Sequence, residues 1–218
     1  YIYIFICEQI CDCMNRSNKH QYAAFRATPW HHLVLPVIVF LAIMVSPLQN
    51  QARAVEAAGE YDIKAAYVYN FLFFVDWHDD ALTPSSAPVS IAILGQDPFE
   101  TRFDSVSGRH VGKAQRPLLI SHLGHYKPGL NLQSHRIIFI AESEKKNLPK
   151  ILAEIQGAKV LTVGDFPSFL ESGGMLQFVV DENRVRWSIN RQAFADAGLS
   201  PSAQLLRNAH HVYTPSKE

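Results

Sequence analysis

The chain has 218 residues, with 20 Lys and Arg balanced by 20 Asp and Glu, and all three cysteines lie before residue 14. A zero net charge offers no basic face for nucleic acid and no polybasic surface for anionic lipid. Everything beyond Cys13 must be held by packing, because it has no thiol to cross-link.

Residues 1–13 fit no downstream pattern and are expected to be upstream read-through, with Met14 as the start. Cys7, Cys11 and Cys13 have no His or Cys partner at zinc-finger spacing, so no metal is expected there. Residues 14–54 read as a signal peptide: Arg16, Lys19 and Arg26, an apolar core at Leu33–Val45, and a small-x-small site at Ala52-Arg53-Ala54. The apolar run contains Pro36 and falls short of the ~20 residues of a membrane span. Cleavage after Ala54 removes four of the 20 basic and two of the 20 acidic residues, leaving a domain at 55–214 near −2, with a tail at 215–218.

In that domain Tyr61–Val75 reads as a helix, with Ile63, Ala66, Tyr67, Asn70, Phe71 and Phe74 at i, i+3, i+4 spacing. Its other side, Val68, Tyr69, Leu72 and Phe73, is also apolar, so the helix needs cover all round, by the domain or by a partner. Val89–Leu94 is a buried strand. Asp97 and Pro98 then suit the cap and first turn of a helix over residues 98–105. A polar turn at Gly108–Lys113 leads to a short strand at Leu118–Ile120. His135–Ala141 and Lys159–Val163 are further strands around a helix at Leu148–Gln156. Asp165 reads as the cap of a short helix at Pro167–Leu170. Gly173-Gly174 breaks into a hairpin of Met175–Val180 and Arg184–Ile189, and helices at Gln192–Ala197 and Ser202–His211 close the chain. Strands alternating with helices predict a single α/β domain: a mixed, mostly parallel sheet with helices on both faces and a late antiparallel hairpin.

No catalytic constellation emerges. Leu94-Gly95-Gln96-Asp97-Pro98 has one glycine where a dinucleotide loop has three, and Asp97 would repel a phosphate. There is no G-x-S-x-G. His122 and His125 are three apart, His78 adjoins Asp79 and Asp80, and His210-His211 point apart on a helix, so none supplies three converging metal ligands. Neither enzyme activity nor a cofactor is expected. Arg184 and Arg186 share one strand face and could grip an anion or a partner carboxylate. The candidate partner-binding residues are Tyr67, Phe71, Phe74, Glu171, Arg184 and Arg186.

Tyr61–Phe71 with Phe74-Val75-Asp76-Trp77, Leu94–Phe99, Leu161–Asp165, Gly173–Phe178, Arg184–Asn190 and Gly198–Leu206 resemble, in order, the motifs of the YfiR family. Leu176, Trp187 and Ala203 stand where the family pattern has Ile, Phe and Ser. The resemblance implies a periplasmic α/β domain that forms a homodimer and binds the periplasmic region of an inner-membrane diguanylate cyclase. It would repress cyclic-di-GMP synthesis and so restrain biofilm formation. A periplasmic small-molecule module reading an anion through the arginine pair is the alternative. Relatives can carry disulfides, but this domain has no cysteine after Ala54, so redox sensing through its own disulfides is not expected.

Overall fold

The structure is a computed structural model in which residues 59–78, 87–112 and 114–214 are described. The read-through, signal-peptide and tail expectations lie outside the described residues. Helix α1 covers residues 59–74 and runs directly into strand β1 (Val75–Asp76). Strands β2 (Val89–Leu94), β3 (His110–Val111), β4 (Arg116–Gly124) and β5 (Ile137–Ile140) follow. A 3-10 turn at Glu142–Asn147 feeds helix α2 (Leu148–Glu154), and strands β6 (Leu161–Gly164), β7 (Leu176–Asp181) and β8 (Arg184–Asn190) come next. Helix α3 (Arg191–Asp196), strand β9 (Ser200–Pro201), helix α4 (Ala203–Arg207) and strand β10 (His211–Tyr213) end the fold.

Eight strands form one sheet in the order β10-β8-β7-β6-β5-β2-β4-β3, and β1 pairs separately with β9. The run β4-β2-β5-β6-β7 is parallel, whereas β7–β8 and β3–β4 are antiparallel. In chain order the five parallel strands read 2-1-3-4-5, a doubly wound arrangement whose direction of growth reverses at β2. The central strands are covered on both sides, which is why Val89–Leu94, Ile137–Ile140 and Leu161–Gly164 are buried throughout instead of alternating. Ile91, Ile93, Phe139 and Val163 face a core closed by Val68 and Phe71 of α1, Phe194 of α3 and Leu205 of α4. Ala92, Leu94, Ile138 and Ile140 face the other core, closed by Leu148 and Ile151 of α2 with Phe166 and Phe169. The architecture is the expected one: α/β, mixed, with helices on both faces.

Local readings needed correction at four places. The expected helix after Pro98 is a series of turns: the Asp97 carboxylate accepts the Phe99 N–H at 2.7 Å as a local turn, and Glu100 sits at φ 51°, outside the helical region. No helix forms at Pro167–Leu170, because Ser168 is held at φ 67°. The loop at His110–Val111 is a strand that pairs with β4, which is itself longer than expected. The last helix stops at Arg207 instead of His211, and His211–Tyr213 leaves it to pair in parallel with Ser188–Asn190 of β8.

The glycines at the β6–β7 connection have a steric reason. A Cβ on Gly164 would come within 2.7 Å of the Phe169 ring, and one on Gly174 would overlap it. Phe169, fully buried, therefore fits only because both glycines lack a side chain.

Candidate partner-binding groove

α1 buries Lys64, Ala65, Val68 and Phe71 along one stripe and leaves Ile63 and Phe73 about half exposed. Its second half lies over the β7–β8 hairpin. The Tyr67 ring is 5.0 Å from Trp187 and 6.2 Å from Phe178, and Phe71 is 5.7 Å and 5.9 Å from the same two rings. These spacings are the normal range for attractive aromatic pairs. α4 is tied to the same place, because the Trp187 indole N–H donates to the Leu205 carbonyl at 3.2 Å. Ser202 caps α4 by accepting the Leu205 N–H, and its own N–H donates to the Phe74 carbonyl at 2.8 Å. The end of α1 and the start of α4 are thereby fixed side by side.

Between them and β8 runs a groove of about 540 Å³. Tyr67, Phe71, Phe74, Arg184 and Arg186, five of the six candidate residues, line it. Phe71 is only 1% exposed, so it belongs mainly to the core and forms the groove's floor. Arg184 is exposed and makes no ion pair among the described residues. Arg186, half-buried, has its guanidinium 3.8 Å from Asp181, which also lies 3.6 Å from His210. Among the described residues no carboxylate lines the groove. Glu171 is not part of it: it lies in a separate groove of about 440 Å³ between α2 and α3.

Doubly wound folds usually bind ligands at the carboxyl ends of the strands, where the order reverses. Here that position is a cleft of about 330 Å³ lined by residues after β2, β5 and β6 and by the first turns of α1. An internal clasp ties its charges together. The Lys64 ammonium lies 2.8 Å from Asp165 and 2.5 Å from Glu60, and the Tyr61 hydroxyl donates to the same Asp165 oxygen at 2.8 Å. Burial, then the Asp165 carboxylate, pushes the Tyr61 phenol pKa up, so the hydroxyl stays protonated as a donor. Asp165 is thus a tertiary partner and not the helix cap expected from its position. Asp97, beside Gln96 in the same cleft, is 2.7 Å from His122. A cleft with Glu60, Asp97, Glu142 and Asp165 around one satisfied ammonium repels phosphate. Among the described residues no group of three or more His, Cys, Asp or Glu is placed to hold a metal. His78, His122, His125 and His210 instead each face a single carboxylate, as His125 does Glu144 at 2.6 Å.

Sequence reasoning missed Lys64. A lysine on an otherwise amphipathic helix reads as solvated, and nothing local links it to a carboxylate 101 residues away. It also missed that β10 covers only Ser188–Asn190 of β8.

The family model for YfiR/HmsC-like proteins matches residues 61–210, which spans α1 through α4. The chain belongs to the YfiR/HmsC-like family. No helix among the described residues is long and apolar enough to cross a membrane. No curated protein matches the chain. Among solved structures, it is similar to an ABC domain in complex with L-Trp from Streptococcus pneumonia (13% identity, TM-score 0.41, covering 57% of this chain and 55% of that one). It is also similar to a conserved domain protein from Vibrio cholerae O1 biovar El Tor (12% identity, TM-score 0.40, 57% of this chain and 54% of that one). The chain therefore spans about half the length of these two structures.

Proposed function

We propose that this YfiR/HmsC-like protein is a periplasmic repressor: it binds the periplasmic region of an inner-membrane diguanylate cyclase and holds cyclic-di-GMP synthesis down. In this reading residues 14–54 export the domain and the exported form is a homodimer. The groove between α1, α4 and β8 is the main contact, and Glu171 is a second contact on a different part of the surface. The observation that carries the reading is the groove itself, where apolar and aromatic side chains meet two guanidinium groups and, among the described residues, no carboxylate. Aromatic and arginine side chains are the residues that concentrate binding energy at protein interfaces. Repression follows if the protein binds the inactive conformation of the cyclase better than the active one, and its size is capped by that difference in affinity.

The test is cellular cyclic-di-GMP after deletion of the gene and after restoration with and without residues 14–54. A rise on deletion, reversed only by the exported form, is the expected result. An unchanged level in a strain whose cognate cyclase is expressed overturns the proposal. A second reading, a small-anion module, draws on Arg184 having no ion pair among the described residues. Calorimetry of the full chain against inorganic phosphate and simple carboxylates separates the two, since the repressor reading needs neither.

A further inference from the structure

The groove has a backbone wall as well as side-chain walls. β10 pairs with β8 only at Ser188, Ile189 and Asn190. The preceding residues of β8, Arg184–Arg186, therefore form the sheet's edge among the described residues. The His210 N–H donates to the Trp187 carbonyl at 2.8 Å, which shows that the Trp187 backbone faces outward, away from β7. Backbone direction alternates along a strand, and Val185↔Val180 and Trp187↔Phe178 are the same type of cross-strand pair. The Val185 N–H and C=O accordingly face the groove too. An exposed strand edge of this kind is a template for another strand.

We propose that the groove accepts an extended segment of the partner as an added strand alongside Arg184–Arg186, in line with β10, and that apolar and acidic residues alternate in this segment. At about 3.3 Å per residue the open edge suits a pairing of roughly three residues. Side chains of an added strand point alternately to the two faces of the sheet. One face is the aromatic one, where Tyr67 and Phe71 cover Trp187 and Val185 is buried. The other carries Arg184 and Arg186, which stand on the opposite side of β8 from Val185 and Trp187. An apolar side chain is favoured on the first face and a carboxylate on the second. Asp181 lies 3.8 Å from Arg186 and stands across the hairpin from Arg184, which makes no ion pair among the described residues.

The inference rests on the repressor reading only for the partner's identity. Selection of random short peptides displayed against the immobilised full chain tests it without the cyclase. The enriched peptides are expected to alternate apolar with Asp or Glu, and to bind about tenfold more weakly to Arg184→Glu, an exposed change that leaves the fold intact. N-methylation of the peptide residues whose amides meet β8 is expected to cost about tenfold, and methylation of the intervening ones almost nothing. The inference is overturned by a lack of enriched peptides, by basic or helically spaced ones, or by alternating peptides insensitive to N-methylation. If alternating peptides bind but cyclic-di-GMP does not change on deletion, the repressor reading fails and the strand-addition site stands. The reverse pattern removes the site and leaves the repressor reading.

Discussion

The two ends of α1 meet the rest of the molecule in opposite ways. In its first turns Glu60, Tyr61 and Lys64 converge on Asp165, and the Lys64 and Asp165 side chains are only 5% and 7% exposed. Those charges are spent on one another, at the one position where a doubly wound sheet would ordinarily receive a ligand. Two turns later Tyr67, Phe71 and Phe74 line an open groove beside two arginines, one of which has no ionic partner among the described residues. The same helix thus carries a polar site whose charges are paired within the fold and an apolar one beside an arginine that has no ionic partner among the described residues. Buried, paired charge marks architecture in this molecule; unpaired charge beside aromatic surface marks the candidate site.

The comparison is broken most directly at the clasp. Asp165→Ala leaves the buried Lys64 ammonium with Glu60 alone and the Tyr61 hydroxyl without its acceptor. Removing one partner of a buried pair costs about 3–5 kcal/mol, to be read by urea denaturation. A loss below about 1 kcal/mol, the scale of exposed pairs, would show that the clasp behaves as surface charge and is not structural.

Next in size is Gly174→Ala, expected to cost about 1–3 kcal/mol because the new methyl group must displace the Phe169 ring. Denaturation of G174A together with the double variant G174A/F169L is the check: a smaller side chain at 169 should recover part of the loss. No recovery would place the strain elsewhere in the β6–β7 connection.

Much of this was legible in the sequence, for reasons that differ by region. Val89–Leu94, Ile137–Ile140 and Leu161–Gly164 are short, mostly apolar runs, and their length and β-branched content point to strands buried on both faces rather than to helices. The groove was legible through Tyr67, Phe71 and Phe74, whose aromatic surface exceeds what one helix face can bury, and through the two-residue spacing of Arg184 and Arg186. Glu171 was misjoined to it because it is close to the hairpin in sequence; Leu170 beside it packs into the other core, on the α2 side. The clasp and β10 were illegible for a shared reason. Each depends on a pairing that no local period records, Lys64 with Asp165 and His211–Tyr213 with Ser188–Asn190. Capping signals misled at Asp97 and Pro98 because the Asp97 carboxylate does accept the Phe99 N–H, but Glu100 at φ 51° then takes the backbone out of the helical region.

Acid provides a smaller perturbation, acting outside both regions of the comparison. Burial lowers the pKa of His135, whose Nδ1 lies 2.7 Å from the Ser90 hydroxyl. A histidine kept neutral by the fold contributes stability that is complete above its ordinary pKa of about 6.5 and is lost as pH falls through the lowered value. Glu144 acts in the same direction at lower pH. Burial alone would raise its pKa, but hydrogen bonds from Asn147, His125 and the Tyr126 backbone bring it below the usual carboxylate value. Its contribution is therefore present above about 4.5 and lost on further acidification. Melting temperatures of wild type and His135→Gln across this range should diverge near neutrality and converge as the pH falls below 6, because only wild type has an imidazole to protonate. Parallel curves would remove His135 as the first acid-sensitive group.

The smallest expected change in stability, and the sharpest test of the contrast, is charge reversal at the groove. Arg184 is exposed, and Arg186 makes one long pair with Asp181, so Arg184→Glu and Arg186→Glu should each alter stability by no more than about 0.5 kcal/mol. The same variants should lose capture of the cyclase's periplasmic region, whereas Glu171→Lys, on the separate groove, should weaken it only if a second contact exists. Truncating Phe71 would be a poor probe, because a core phenylalanine costs about 3–5 kcal/mol and would confound folding with binding. Ile63→Ala avoids this, since Ile63 lines the groove while remaining 47% exposed. If the two arginine variants and Ile63→Ala fold normally and still capture the partner, the open end of α1 is only exposed apolar surface. Loss of capture without loss of stability separates the two ends of the helix as the structure describes them: one end required to fold, the other required to bind.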